Sequence, residues 1–243
     1  MSEKPFPDFL NFETLVPVVF PSTMEVLLGY LRAYVSTMER LLQRKSADLH
    51  KRQSFAESSS DLRAVEEELF VVENLFPNLL RSAFFLTAYS LLENSLRQRC
   101  LCMEAQKALE LSVNDITRDG GYLVQYRKYL EKVAGLNFSS VKEEWSRLLK
   151  YMELRNRVVH DQGHLELEEE RHKDLKRFIK DNPSWVRLEV YRDWQGEERY
   201  YEIVFEQEFC RDVISTLKDF FCSLDAQLPE ECRDLEQHFG FSP

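Results

Sequence analysis

Glycine and proline are scarce in this sequence, 7 and 8 among 243 residues. A chain so poor in turn-formers and helix-breakers is not built from many short strands joined by tight turns, and its leucine, glutamate and lysine favour long helices. Cysteine is limited to Cys100, Cys102, Cys210, Cys222 and Cys232, an odd set without a C-x-x-C pair. With no leader-like stretch ahead of them, they read as reduced thiols of a cytoplasmic protein. A long uninterrupted apolar run is also missing. The richest, Leu75 to Leu92, is broken by Pro77, Asn78 and Arg81, which points to a buried core helix and no membrane association. There is no P-loop, no glycine-rich dinucleotide turn and no G-x-S-x-G elbow, so the common nucleotide-dependent and serine-hydrolase chemistries have no sequence support. Positive charge is short as well. The formal net charge is -10, which argues against a surface coated for phosphate binding.

What is present is ample material for a core, 44% hydrophobic residues and 12% aromatics. The local charge differs from the global one: from Arg118 to Arg157 nine basic residues face five acidic ones, a balance of 9 - 5 = +4. Such a patch is either a solvated face or an RNA contact.

Pro5, Pro7, Pro17 and Pro21 predict an extended N-terminal arm over 1–21. Ser22 followed by Glu25 has the form of a capping box for a helix running to about His50, with Val26, Leu27, Tyr30, Leu31 and Tyr34 at helical spacing. A second helix is expected up to Pro77 and a long third one through Leu92 past Cys102. Asp119-Gly120-Gly121 breaks the pattern before a short helix from Tyr126 to Val133. A further helix starts after Ser140 with Val141, Trp145, Leu148, Met152 and Val159 as its apolar seam, in which Arg155 fills one place. The period then switches to alternation over Trp185–Tyr191 and Arg199–Val204 around Gln195-Gly196, which predicts a β-hairpin over 185–204. A last amphipathic helix covers 207–226, and 227–243 is a tail. The expected fold is one all-α domain over 22–226, a helical bundle with a small β-hairpin inserted before the last helix.

The segment carrying chemistry is Arg155-Asn156-Arg157-Val158-Val159-His160, followed by Asp161-Gln162-Gly163. It offers a cation for a phosphate, an amide, and an imidazole whose ordinary pKa near 6.5 suits proton transfer at neutral pH. On a helix Asn156 and His160 share a face, whereas Arg155 lies about 140° round from His160 at roughly 100° per residue. The blander alternatives are a structural ion pair between Arg155 and Glu93, a helix-terminal role for His160, and a Glu93–Arg97 pair one turn apart. Trp145, Tyr200 and Tyr201 can stack on bases or simply pack. His160 and His164 are separated by the helix-breaking Gly163 and lack a third ligand of suitable spacing, so no metal is expected.

This Arg-Asn-x-x-x-His-x-x-Gly segment, late in a helical bundle and followed by one more helix, resembles the motif of HEPN domains (higher eukaryotes and prokaryotes nucleotide-binding). The stretch Phe85 to Leu96, with Glu93 after an apolar pair, is similar to an earlier helix of that family. The resemblance spans roughly residues 22–226. It implies a metal-independent endoribonuclease without cofactors, in which Arg155, Asn156 and His160 are catalytic. Lys150 and Arg157 would contact RNA, Glu93 would support the site, and two motifs would face each other in a homodimer. Free-standing members of this kind serve as toxins or effectors in bacterial stress response or phage defence, restrained by an antitoxin or other defence-system partner. The inserted hairpin and the second cation, Arg157, depart from the minimal pattern. The alternative reading is a non-catalytic interaction or RNA-binding module of the same fold.

Overall fold

The computed structural model describes residues 24–167 and 172–233. The expected arm over 1–21, the Ser22 cap and the end of the tail beyond 233 lie outside them. The elements are α1 (Met24–Ser54), α2 (Ser59–Phe70), α3 (Phe76–Gln106), α4 (Tyr122–Lys132), α5 (Lys142–His160), β1 (His164–Glu166), α6 (Lys173–Asp181), β2 (Val186–Arg192), β3 (Glu198–Phe205), α7 (Gln207–Asp225) and α8 (Glu230–Arg233). The protein is mostly helical with a small three-stranded antiparallel sheet.

Pro77 does not separate α2 from α3 as the sequence predicts. The helix runs through, with a π turn over Val71–Leu75 in which the Phe76 N–H reaches the Val71 carbonyl. A proline lacks the N–H that the carbonyl four residues back would need and its ring collides there, so one widened turn lets the chain stay helical. The stretch Ser59–Gln106 is long and apolar enough to cross a membrane by length and composition, and only 22% of its most apolar window is buried. Its two parts differ: Phe84, Phe85, Ala88, Leu92 and Leu96 are fully enclosed, whereas Leu75, Phe76 and Leu79 are exposed.

Beside a small cluster of Leu49, Val65, Leu69 and Val72 between the end of α1, α2 and the π turn, the core is one main cluster. It joins α1 (Leu28, Val35), α3, α4 (Leu123, Tyr129), α5 (Trp145, Leu148, Tyr151, Leu154) and α7 (Phe209, Val213, Leu217, Phe220) with the inner face of the sheet. Burying a large apolar side chain contributes on the order of 1.5–3 kcal/mol, so this cluster is the main stabilising element. Buried ions are paired within it. Arg81 donates to Glu39 at 2.7 Å and to the Phe205 carbonyl at 2.9 Å, tying α1, α3 and β3 together. Asn78 accepts from the Phe205 N–H at 3.0 Å, which fixes the first turn of α3 against the end of the sheet.

The sheet has the order β1-β3-β2. Beyond the expected hairpin, β1 adds an edge strand that pairs His164 with Glu202 and Glu166 with Tyr200. Three residues are too short for alternation to register, and α6 escaped notice because its apolar residues are few, with only Leu175 and Ile179 buried. Leu165, Val186, Ile203 and Phe205 face the core, while His164, Glu189, Tyr191, Tyr200 and Glu202 occupy the other face.

Two expectations are corrected. Val159 is not part of the α5 seam: it is 45% exposed, and the seam passes instead through Trp145, Leu148, Tyr151 and Leu154. Nor are all five cysteines free. Cys102 and Cys232 form a disulfide across 130 residues of sequence, because α8 brings Cys232 back onto the end of α3. No local spacing announces such a pair. Cys100, Cys210 and Cys222 are free thiols.

Candidate functional site

The last turns of α5 carry the motif, and the end of that helix is fixed by backbone geometry. Gly163 adopts φ +81°, the left-handed region that favours glycine, and Gln162 enters it as well. The N–H groups of Asp161 and Gly163 both donate to the Arg157 carbonyl, at 3.0 and 2.9 Å. The helix therefore stops at His160 and the chain turns directly into β1. Arg157 reinforces this stop. Its guanidinium lies 2.7 Å from Asp161 and 3.1 Å from the His172 ring, so the cation proposed for RNA clamps the helix end to the start of α6. Lys150 is likewise engaged, 3.1 Å from Glu153.

Arg155 differs from both. It is half-buried and, among the described residues, has no carboxylate within ion-pair distance. Its contacts are neutral: a guanidinium nitrogen donates to the Asn156 side-chain oxygen at 3.3 Å, and its carbon centre lies 5.8 Å from the centre of the Tyr89 ring. The Glu93 carboxyl is near enough to feel this charge without pairing with it. Burial pushes Glu93 above the usual carboxylate range, against the opposing pull of Arg155 and a hydrogen bond with Tyr89. Burial, with the charge of Glu93, pushes the Tyr89 hydroxyl up in turn. A Glu93–Arg97 ion pair is not formed among the described residues.

His160 is exposed at the helix end, and no hydrogen bond or ion pair engages it among the described residues. The structure thus brings Arg155 and Asn156 together beside Tyr89 and Glu93. It leaves His160 separate, one turn on. Tyr89 escaped the sequence reading because it sits in an apolar run at core spacing, where a tyrosine is indistinguishable from packing. Trp145 is core, packed on Phe138 and Phe220. Tyr201 lies under Lys176, whereas Tyr200 stacks between Tyr191 and His164, with ring centres 4.7 and 3.9 Å away.

Among the described residues no group of three or more His, Cys, Asp or Glu side chains is arranged to hold a metal ion. Compared with models of known protein families, with curated proteins and with solved structures, the chain matches none.

Proposed function

We propose that this protein is a metal-independent endoribonuclease of the HEPN type. The observation that carries the reading is Arg155. A guanidinium that is half-buried and lacks a carboxylate partner among the described residues keeps its planar fork of donors for an anion arriving from outside, and a phosphodiester fits that fork. The blander reading of Arg155 requires an ion pair with Glu93, and the two side chains are not in ion-pair contact. The placement of the motif at the end of a core helix, in a mostly helical protein, agrees with the resemblance.

In the reaction this implies, the 2'-hydroxyl of the RNA attacks the adjacent phosphorus, a 2',3'-cyclic phosphate forms, and the 5'-oxygen leaves. His160 moves a proton to or from one of these oxygens, Arg155 stabilises the charge developing on the phosphate, and Asn156 orients Arg155. Since Arg155 and His160 diverge around one helix, a two-fold homodimer completes the site, with one chain's Arg155 working beside the other's His160. The role that follows is a toxin or effector of stress response or phage defence, held inactive by a partner protein. Expression of the wild type stops bacterial growth and expression of His160→Ala does not. Equal growth of the two strains at equal protein levels contradicts the proposal. Co-expressing Arg155→Ala and His160→Ala chains restores part of the activity if the site is shared, whereas an active monomer in light scattering refutes the dimer.

A further inference from the structure

A cavity of about 620 Å³ lies between the first turns of α3, the last turn of α5 and the outer face of the sheet. It is within the size range of small-molecule sites. Val158 and Gln162 of its lining flank His160 in sequence, so it adjoins the end of the motif helix. Leu79, 68% exposed, and Val158 supply apolar surface. The polar groups divide into two sets. Arg81, Asn78 and Asn74 are already committed, to Glu39, to the backbone of β3 and to the Phe70 carbonyl, as are Arg187, paired with Glu189 and Glu206, and Glu73, paired with His50. Glu202 and Gln162 are not: among the described residues Glu202 has no ion-pair partner, and the Gln162 side chain makes no hydrogen bond.

Glu202 also stands beside an aromatic ladder. Its cross-strand neighbours are His164 on β1 and Glu189, itself paired with Arg187, on β2, and Tyr200 lies two residues along β3 on the same face. The rings of Tyr191, Tyr200 and His164 stack across all three strands, with the Tyr pair nearly parallel at 5° and His164 and Tyr200 inclined at 28°. Among the described residues Tyr200 is the one ring stacked on His164, which is itself partly exposed on the edge strand.

We propose that this cavity seats an unpaired guanine base of the RNA substrate, read by the Glu202 carboxylate, with a neighbouring base stacking on His164. The inference rests on the ribonuclease reading of the motif and adds the base it selects. A carboxylate is a pure acceptor with two oxygens side by side. Guanine alone among the four bases presents two adjacent N–H donors, N1–H and the 2-amino group, on its Watson–Crick edge. Adenine, cytosine and uracil each place an acceptor next to a donor there, so one oxygen of Glu202 would meet a lone pair. Unpaired bases are recognised through such edges while their faces rest on apolar or aromatic surface, which Val158, Leu79 and the ladder provide. The negative charge of Glu202 suits the base edge and not the phosphate, and Arg155, which would hold the phosphate, is not part of the cavity lining.

The test is titration of the purified full chain with the 3'-monophosphates of guanosine, adenosine, cytidine and uridine, followed by two-dimensional NMR. Guanosine 3'-monophosphate is expected to bind about tenfold or more tightly than the others, the discrimination typical of one bidentate base contact. Its signals should shift at Glu202, Gln162 and His164. Glu202→Gln brings guanosine to within about twofold of adenosine, and Leu79→Asp, at an exposed position, weakens all four. Equal affinities, shifts elsewhere, or no binding at millimolar nucleotide overturns the pocket. Its failure and that of the nuclease are separable. Guanosine preference with intact RNA retains the pocket and refutes the enzyme. Metal-free cleavage indifferent to base and unchanged in Glu202→Gln retains the enzyme and refutes the pocket.

Discussion

Replacing Arg155 by alanine separates a catalytic cation from a structural one, because the two roles carry different stability costs. In the fold Arg155 makes one hydrogen bond to a neutral amide and one ring contact at 5.8 Å. The first contributes about 0.5–1.5 kcal/mol, and a cation over an aromatic face about 0.5–1 kcal/mol at a partly exposed site. Against this, the substitution releases a half-buried charge that has no carboxylate within ion-pair distance among the described residues. It also removes from Glu93 the positive charge that favours its ionised form, a small further cost at neutral pH. The net loss is therefore expected to stay below about 2 kcal/mol, less than the roughly 3–5 kcal/mol that follows when a buried ion pair is broken. Activity should fall far more, by about 10²–10³-fold, the effect of removing one preorganised donor from a developing oxyanion. Arg155→Lys keeps the charge and loses the fork, so it should be as stable as wild type and still impaired. Urea unfolding followed by circular dichroism, run beside an RNA-cleavage assay on the same samples, measures both quantities. A loss of 3 kcal/mol or more in Arg155→Ala, with cleavage persisting in the molecules that remain folded, would show that Arg155 holds the structure together and refute the reasoning.

His160 is exposed and makes no hydrogen bond or ion pair among the described residues, so His160→Ala should leave the urea midpoint unchanged while lowering the cleavage rate by about 10²–10⁴-fold; a variant that cleaves normally removes the site assignment. Glu93 has a folded pKa raised by burial, so its contribution to stability is fully present below the ordinary carboxylate value of about 4.3 and is lost as pH rises through the folded value. Wild type should accordingly lose stability relative to Glu93→Gln as pH increases from about 4 to 7, and parallel melting curves across that range contradict the shift. Reducing Cys102–Cys232, or replacing Cys232 by serine, opens a loop of 130 residues and should lower the unfolding free energy by about 2–5 kcal/mol; superimposable unfolding curves with and without dithiothreitol oppose this.

Long periodic segments were the legible part of the chain. The amphipathic helix expected over 207–226 spans Gln207–Asp225 and the hairpin strands fall where alternation places them, whereas the segment expected as a tail carries the short helix α8. Local pattern carries that information because both elements bury one face along their whole length. Features that depend on distant partners left no trace in it. Pro77 read as a boundary because the π turn that accommodates it involves a widened backbone register. Arg157 reads as a free cation although Asp161 stands one turn on, and its other partner, His172, lies 15 residues away, beyond an unanticipated turn and strand. The motif itself was visible, but its divided geometry was not: Arg155 joins Asn156 beside Tyr89, His160 stays apart, and the one-residue error over Val159 hid how much of the helix end faces solvent.

The most direct measurement is the chemistry of the RNA ends. Purified protein incubated with single-stranded RNA in EDTA should produce upstream fragments ending in 2',3'-cyclic or 3'-phosphate and downstream fragments beginning with 5'-hydroxyl. It should leave DNA of the same sequence intact, because the attacking group is the RNA's own 2'-hydroxyl. A strict requirement for magnesium, 5'-phosphate ends, or equal cutting of DNA would contradict the account.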